Sequence, residues 1–207
     1  MPTRLALPFV LTLVVLCATA PARAASHLWR FNEFYSSPNR KVQFIEMREI
    51  QGSNIETNIS EHWFATNGYN QNHLQLLGRD LPFGTAFKNF LVGSQSYAAL
   101  EGVPPPDYVL PDGFLDPTGD TVVWWFYQTI VIPPNTMPSD GLHSITVVDP
   151  NAPIYMLGVN SPTNFAGQTG SVPASVVPSL SPWSGTLAAF ALGACGWLGL
   201  RLSRREA

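Results

Sequence analysis

The C-terminal end of the chain contains an uncharged stretch that limits how the rest can fold. Trp183 to Leu200 spans 18 residues without a charged side chain. A helix of that length rises about 27 Å, which is enough to cross the hydrocarbon core of a bilayer. Arg201, Arg204 and Arg205 follow at once, and such basic clusters stay on the cytoplasmic side. The order predicts a transmembrane helix over 183–200 and a basic cytoplasmic tail over 201–207. The folded domain then lies upstream and outside; a buried helix of a soluble protein is the alternative.

A proline-bounded motif stands directly before this stretch. It consists of Val177, Pro178, Ser179, Leu180, Trp183 and Ser184. The motif resembles the bacterial IPTL-CTERM sorting signal, a relative of PEP-CTERM tails, with Ser184 in place of the usual glycine. The resemblance implies recognition by an exosortase-type processing enzyme and cleavage near the motif. The domain would then pass to the cell surface or extracellular matrix of a Gram-negative-type bacterium. A permanent anchor without cleavage is the alternative.

The N-terminal 24 residues have the layout of a secretory signal peptide. Arg4 supplies the positive region, and an apolar run follows from Leu5 to Ala18. Ala22 and Ala24 form a small-x-small cleavage site, so we expect the mature chain to start near Ala25. An uncleaved N-terminal anchor is the alternative.

Cysteine content and charge restrict the chemistry of the exported part. The two cysteines fall in the signal and in the tail helix, which predicts a domain without disulfide, thiol nucleophile or cysteine-ligated zinc. Between residues 25 and 149 there are six basic and thirteen acidic residues, so the net charge is 6 − 13 = −7. An acidic domain of this kind argues against nucleic acid as a partner.

The middle of the chain is typical of an all-β domain. Short runs rich in aromatic and β-branched residues alternate with connectors rich in Gly, Pro, Asn and Asp. The predicted strands cover residues 27–34, 42–50, 60–66, 73–77, 89–93, 121–132 and 142–148. Many short strands with regular turn signals favour a β-sandwich. The segment from 160 to 182 is rich in Ser, Pro, Thr, Gly and Asn and is expected to be a disordered linker.

The first two predicted strands contain the motifs Phe31-Asn32-Glu33 and Phe44-Ile45-Glu46-Met47. These motifs resemble the opening "I-N-E" strand and the following "F-I-E-L" strand of lamin-tail-like domains. Three later segments resemble the strands and the closing stretch of that family; they read "LPFGTAFKNFLVG", "TGDTVVW" and "NSPTNFAGQ". The resemblance implies an immunoglobulin-like β-sandwich over residues 25–159, acting as a binding or scaffolding module without catalysis.

Acidic residues provide two candidate sites. The first is a loop cluster that could coordinate calcium through carboxylate oxygens, with turn formation as the alternative; it contains Asp107, Asp112, Asp116 and Asp120. The second consists of Glu33, Glu46 and Glu49, which could supply the carboxylate pair of a glycoside hydrolase. Arg48 between two of these glutamates favours cross-strand charge pairing instead. The four histidines show no metal-binding spacing.

Aromatic side chains provide the third candidate. They are Trp29, Trp63, Trp124, Trp125 and Tyr127. Buried rings fill a core, whereas exposed rings on a β face can stack on sugars. Alternation along the predicted strand 121–132 places Trp124 and Phe126 on one face and Trp125 and Tyr127 on the other. The sequence thus predicts a non-enzymatic exported protein, structural or adhesive, with surface polysaccharide as a partner. A secreted polysaccharide hydrolase or carbohydrate-binding module is the alternative.

Overall fold

The computed structural model describes residues 26–67, 73–149, 152 and 154–174. The signal cleavage residues, the sorting motif, the predicted helix over 183–200 and the three terminal arginines lie outside the described residues, so they stay predictions. Within the part that is described, no helix combines the length and the hydropathy needed to cross a bilayer.

The described chain forms ten strands and one helical turn. The strands are β1 (Trp29–Ser36), β2 (Gln43–Glu49), β3 (Trp63–Ala65), β4 (Leu74–Leu76), β5 (Asn89–Ser94), β6 (Tyr108–Leu110), β7 (Asp120–Trp124), β8 (Gln128–Ile132), β9 (His143–Asp149) and β10 (Ile154–Val159). The helical turn α1 (Gln95–Ala98) follows β5, and the Ser94 side chain caps it by accepting from the Tyr97 amide. The prediction of an all-β fold is confirmed.

The strands make two sheets. The large sheet has the order β10-β9-β1-β2-β5-β6, and the small sheet has the order β4-β3-β7-β8. All pairings are antiparallel except β5 with β6. One hydrophobic core joins the sheets: the Phe31 and Phe64 rings lie 6.0 Å apart, and the Phe90 and Trp124 rings also 6.0 Å.

Alternation along β1 and β2 divides their side chains between the two faces of the large sheet. Phe34 and Ile45 enter the core between the sheets. Tyr35 and Phe44 point the opposite way and join a second buried cluster. This second cluster lies on the outer face of the large sheet, where α1 and the last described residues cover it.

The run 121–132 differs from its predicted form as a single strand. It is a hairpin in which β7 ends at Trp124 and β8 begins at Gln128. The turn contains none of the usual Gly, Asn, Asp or Pro residues. Instead Trp125 adopts a left-handed backbone conformation with φ of 45°, and its amide donates to the Trp63 carbonyl at 3.0 Å. Tertiary contacts therefore override the local β preference, and the predicted alternation fails after Trp124.

The prediction of a disordered linker over 160–182 is wrong for residues 160–174. Residues 160–174, here called the closing segment, pack on the large sheet. Val172 and Asn160 are buried, and the Val172 amide donates to the Asn160 side chain. The segment has few apolar residues, so composition alone indicated too little buried area. Its polar groups are satisfied instead by buried carboxylates of β1 and β2.

Candidate functional site

Three aromatic rings form a ledge at the tip of the β7–β8 hairpin. This aromatic ledge consists of Trp63, Trp125 and Phe126. The ring centroids of Trp63 and Trp125 lie 5.6 Å apart, those of Trp63 and Phe126 5.8 Å, and those of Trp125 and Phe126 4.8 Å, all in edge-to-face arrangements. Phe126 is 72% exposed. Rings that hold one another in this way present a rigid apolar surface at low entropic cost.

The backbone of the hairpin turn fixes the ledge. A bulky residue with positive φ is strained, and such strain persists only where the surroundings enforce it. At Trp125 the hydrogen bond to Trp63 and the packing of the two indoles supply this enforcement. The Tyr127 amide closes the turn by donating to the Trp124 carbonyl at 3.0 Å. Phe126, between them, is therefore turned out towards solvent.

Polar groups lie directly beside the aromatic ledge. The Ser26 hydroxyl contacts His62 Nε2 at 2.8 Å, and the Tyr127 hydroxyl lies 3.4 Å from the same nitrogen. The His62 ring lies 4.8 Å from the Trp125 ring. Burial lowers the pKa of His62, against the opposing fields of Asp80 and Glu61, so the imidazole is neutral near neutral pH. Ser26 and His62 are themselves buried, so of these polar groups the Tyr127 hydroxyl, on a side chain that is 37% exposed, is the one that can reach a ligand beside the rings.

The Ser26–His62 pair lacks the third group of a catalytic triad. His62 Nδ1 is buried and has no hydrogen-bond partner among the described residues. A serine nucleophile needs a histidine that a further group orients through its second nitrogen. The contact of Ser26 with His62 thus fixes the start of the described chain against the small sheet.

The other aromatic candidates belong to the interior. Trp29 and Trp124 are completely buried. The Trp29 indole donates to the Glu56 carbonyl at 2.8 Å, while Trp124 packs between the sheets against Phe64, with the ring centroids 4.8 Å apart. Of the predicted aromatic set, the structure brings Trp63, Trp125 and Tyr127 together near the hairpin tip and adds Phe126; Trp63 is only 9% exposed and supports the other rings from below.

The glutamates proposed as a hydrolytic pair are buried beneath the closing segment. Glu33 and Glu46 are cross-strand neighbours on β1 and β2, and each is at most 2% exposed. Glu33 accepts from the Ser144 hydroxyl and from the amide and hydroxyl of Ser161. Glu46 accepts from the side chains of Asn32 and Asn89 and from the Thr163 amide; the Asn89 contact is 3.0 Å.

Burial beneath the closing segment changes the pKa of Glu46 and keeps substrate away from its carboxylate. Burial raises the pKa of Glu46 to about 7, partly offset by the Asn32 hydrogen bond and reinforced by the charge of Glu33. Substrate cannot reach either carboxylate, because protein donors occupy both. The Glu49 carboxylate likewise accepts hydrogen bonds from the backbone amides of Gln51, Gly52 and Phe87.

Asp107 and Asp112 serve separate turns, whereas Asp116 and Asp120 share one. Asp107 accepts from the amides of Leu91 and Phe165, both at 2.8 Å. Asp112 accepts from Ser96 at the start of α1. The remaining two lie close together, since Asp120 accepts from the Asp116 amide at 2.9 Å.

Metal binding requires several ligands at one point. Asp116 pairs with Arg40 at 3.5 Å and accepts from Thr118. Across residues 26–67, 73–149, 152 and 154–174, no three His, Cys, Asp or Glu side chains gather as a metal ligand set. The structure therefore does not unite the four predicted calcium ligands.

Comparisons of the chain with protein-family models, with curated proteins and with solved structures find no match. The sequence indicated Trp63 and Trp125 as candidate contact residues. It placed Phe126 on the same strand face as Trp124, whereas the structure places it on the exposed turn. The turn carries no residue signal that would have corrected this.

Proposed function

We propose that the chain is a non-enzymatic exported surface protein whose immunoglobulin-like β-sandwich binds surface polysaccharide through the aromatic ledge. The observation that carries the proposal is the ledge itself. Phe126 is 72% exposed on a hairpin tip that Trp63 and Trp125 make rigid. Single exposed apolar residues are common, whereas a contiguous group of rings is typical of a contact surface.

The sandwich assignment is supported by how the resemblance motifs meet in space. Glu33 and Glu46 come from the two opening motifs, and both bind the closing segment at Ser161 and Thr163. Segments far apart in sequence thus form one polar network. Two sheets with a common core and predominantly antiparallel pairing agree with an immunoglobulin-like arrangement.

Export and sorting complete the proposal. A signal peptide over 1–24 would send the domain across the membrane, and the tail over 183–207 would hold it until an exosortase-type enzyme acts at the motif 177–184. Mass spectrometry of the chain recovered from a producing bacterium tests this step. We expect an N-terminus near Ala25 and a C-terminus near the motif. Recovery of both original ends on one cytosolic polypeptide would refute export.

Binding is tested with the full chain, produced with both hydrophobic ends and purified in detergent. Isothermal titration with a neutral glucose hexasaccharide should show saturable binding. Phe126→Ala should weaken it about tenfold, because the loss of one stacked ring corresponds to about 1.4 kcal/mol. Phe83→Ala removes a ring that is 75% exposed elsewhere and should change nothing. No binding by the original chain, or equal loss in both variants, would overturn the proposal.

A further inference from the structure

A second concave surface lies on the outer face of the large sheet, away from the hairpin tip. It is a pocket of about 280 Å³, just below the size range of about 300–1,000 Å³ that is typical of small-molecule sites. Its lining consists of Arg48, Phe87, Lys88, Asn89 and the turn 163–167. The combination of two cations, an amide and an aromatic ring is different in chemistry from the ledge.

Basic residues concentrate at this pocket although the domain is acidic. Of the six Lys and Arg residues between 25 and 149, Arg48 and Lys88 line it, and Arg30 stands opposite Arg48 in the β1–β2 register. Neither Arg48 nor Lys88 has an ion pair within the described residues. The predicted charge pairing of Arg48 with its neighbouring glutamates is wrong, because backbone and amide donors occupy those carboxylates.

The aromatic wall of the pocket is held in an enforced conformation. Phe87 adopts φ of 54°, and its amide donates to Glu49 at 2.8 Å. Its ring lies against Gly52, where a Cβ would come within 2.7 Å of the ring. Even so, the side chain is 62% exposed. Backbone strain that the surroundings maintain is found preferentially at functional sites.

The opposite wall is fixed by the buried Glu46 and the half-buried Asp107. The Thr163 amide donates to Glu46, and the Phe165 amide donates to Asp107 at 2.8 Å. Lys88 Nζ lies 4.4 Å from the centre of the Phe165 ring, which positions the ammonium group beside the pocket. Burial raises the pKa of Glu46 to about 7, so the negative charge beneath Asn89 is reduced at neutral pH.

We propose that this pocket binds a carboxylate-bearing sugar unit of an acidic polysaccharide. The Arg48 guanidinium offers parallel donors that match a carboxylate. Lys88 supplies a second positive charge, and the exposed Phe87 ring offers an apolar face for the sugar ring. Acidic surroundings repel a polyanion elsewhere on the domain, so binding concentrates where the cations have no acidic partner. The pocket shares no lining residue with the aromatic ledge and does not depend on it.

The test uses the full chain in detergent and a galacturonate hexamer, with its methyl-esterified form as a neutral control. We expect saturable binding of the acid form, at least tenfold weaker binding of the ester, and weakening with added salt. Arg48→Gln and Lys88→Gln should each reduce affinity about tenfold. Phe87→Leu should reduce it less, because the hydrophobic bulk stays while the flat ring is lost.

The controls separate this site from general charge attraction and from the ledge. Lys41→Gln removes one charge from an exposed lysine that is not part of the pocket and should leave affinity unchanged. An equal loss in Lys41→Gln, equal binding of ester and acid, or equally tight binding of inorganic phosphate would overturn the proposal. Phe126→Ala should bind the acidic hexamer normally, so failure here and failure of the ledge proposal can be told apart.

Discussion

The outer faces of the two sheets differ in how far the rest of the chain covers them. On the large sheet, α1 and the closing segment cover Tyr35, Phe44 and Leu91 completely. On the small sheet, Trp63, Ala65 and Val123 are buried beside Trp125, but Leu74 and Leu76, the cross-strand neighbours of Ala65 and Trp63, are about half exposed. Both faces are rich in apolar side chains, so composition does not decide which face is buried. The difference comes from buried carboxylates, which anchor a polar segment over one sheet only.

The largest expected effect contrasts one phenylalanine from each face. Phe44 is fully buried and stacks on Tyr35, with the ring centroids 5.3 Å apart, so Phe44→Ala should lower the free energy of unfolding by about 3–5 kcal/mol. Phe126→Ala removes an exposed ring and should change it by about 0.5 kcal/mol or less. Urea denaturation of both variants measures the contrast. Equal losses would show that the hairpin tip is part of the core.

A smaller expected effect is the pH dependence of stability that comes from Glu46, which holds the closing segment on the large sheet. The folded pKa of about 7 lies above the ordinary value of 4.5, so the folded state binds more protons between these values. Stability from this group is fully present below pH 4.5 and is lost as pH rises towards 7, by on the order of 3 kcal/mol.

Glu46→Gln isolates this effect because glutamine resembles the protonated carboxyl and does not titrate. The difference in unfolding free energy between the original chain and the variant should shift in favour of the variant from pH 4.5 to 7. A difference that stays constant across this window would mean that Glu46 remains ionised in the folded domain.

The smallest expected effect on stability contrasts two glycines of the large sheet. It tests whether α1 and its neighbouring residues pack closely on the outer face of that sheet. A Cβ at Gly93 would lie 2.5 Å from the Tyr97 ring and 3.0 Å from Pro106. Gly93→Ala should therefore cost about 1–3 kcal/mol through overpacking. Gly158, on the edge strand β10, has no atom within 4 Å of its Cβ position, and Gly158→Ala should be nearly neutral in thermal denaturation. Comparable melting temperatures for both variants would argue against a packed cover.

Much of the fold could be predicted because its strands obey simple patterns. Segments such as 43–49 and 143–149 have the composition and length of strands, and the structure places strands there. Strand β10 was missed because Ile154–Val159 lies in an uncharged region next to the expected linker. The helical turn after β5 was visible in the sequence only as a weak local pattern.

The candidate site was predictable only in part, for a physical reason. Aromatic content indicated a contact surface, but the left-handed backbone of Trp125 and Phe87 depends on partners distant in sequence, namely Trp63 and Glu49. The basic pocket likewise depends on register. Arg48 faces Arg30 and Asn89 across the sheet, a neighbourhood that sequence spacing alone does not reveal.

The anchoring of the closing segment has a consequence for folding if the domain is exported as proposed. Ser161 and Thr163 follow Glu33 and Glu46 by 128 and 117 residues. If the chain emerges N-terminus first, β1 and β2 cannot form their hydrogen bonds to Ser161 and Thr163 until almost the whole domain has crossed. Contacts between such distant residues form slowly. Under the proposed export, the polypeptide would therefore remain unfolded while it crosses the membrane and would complete its fold only after residues 161–163 have emerged.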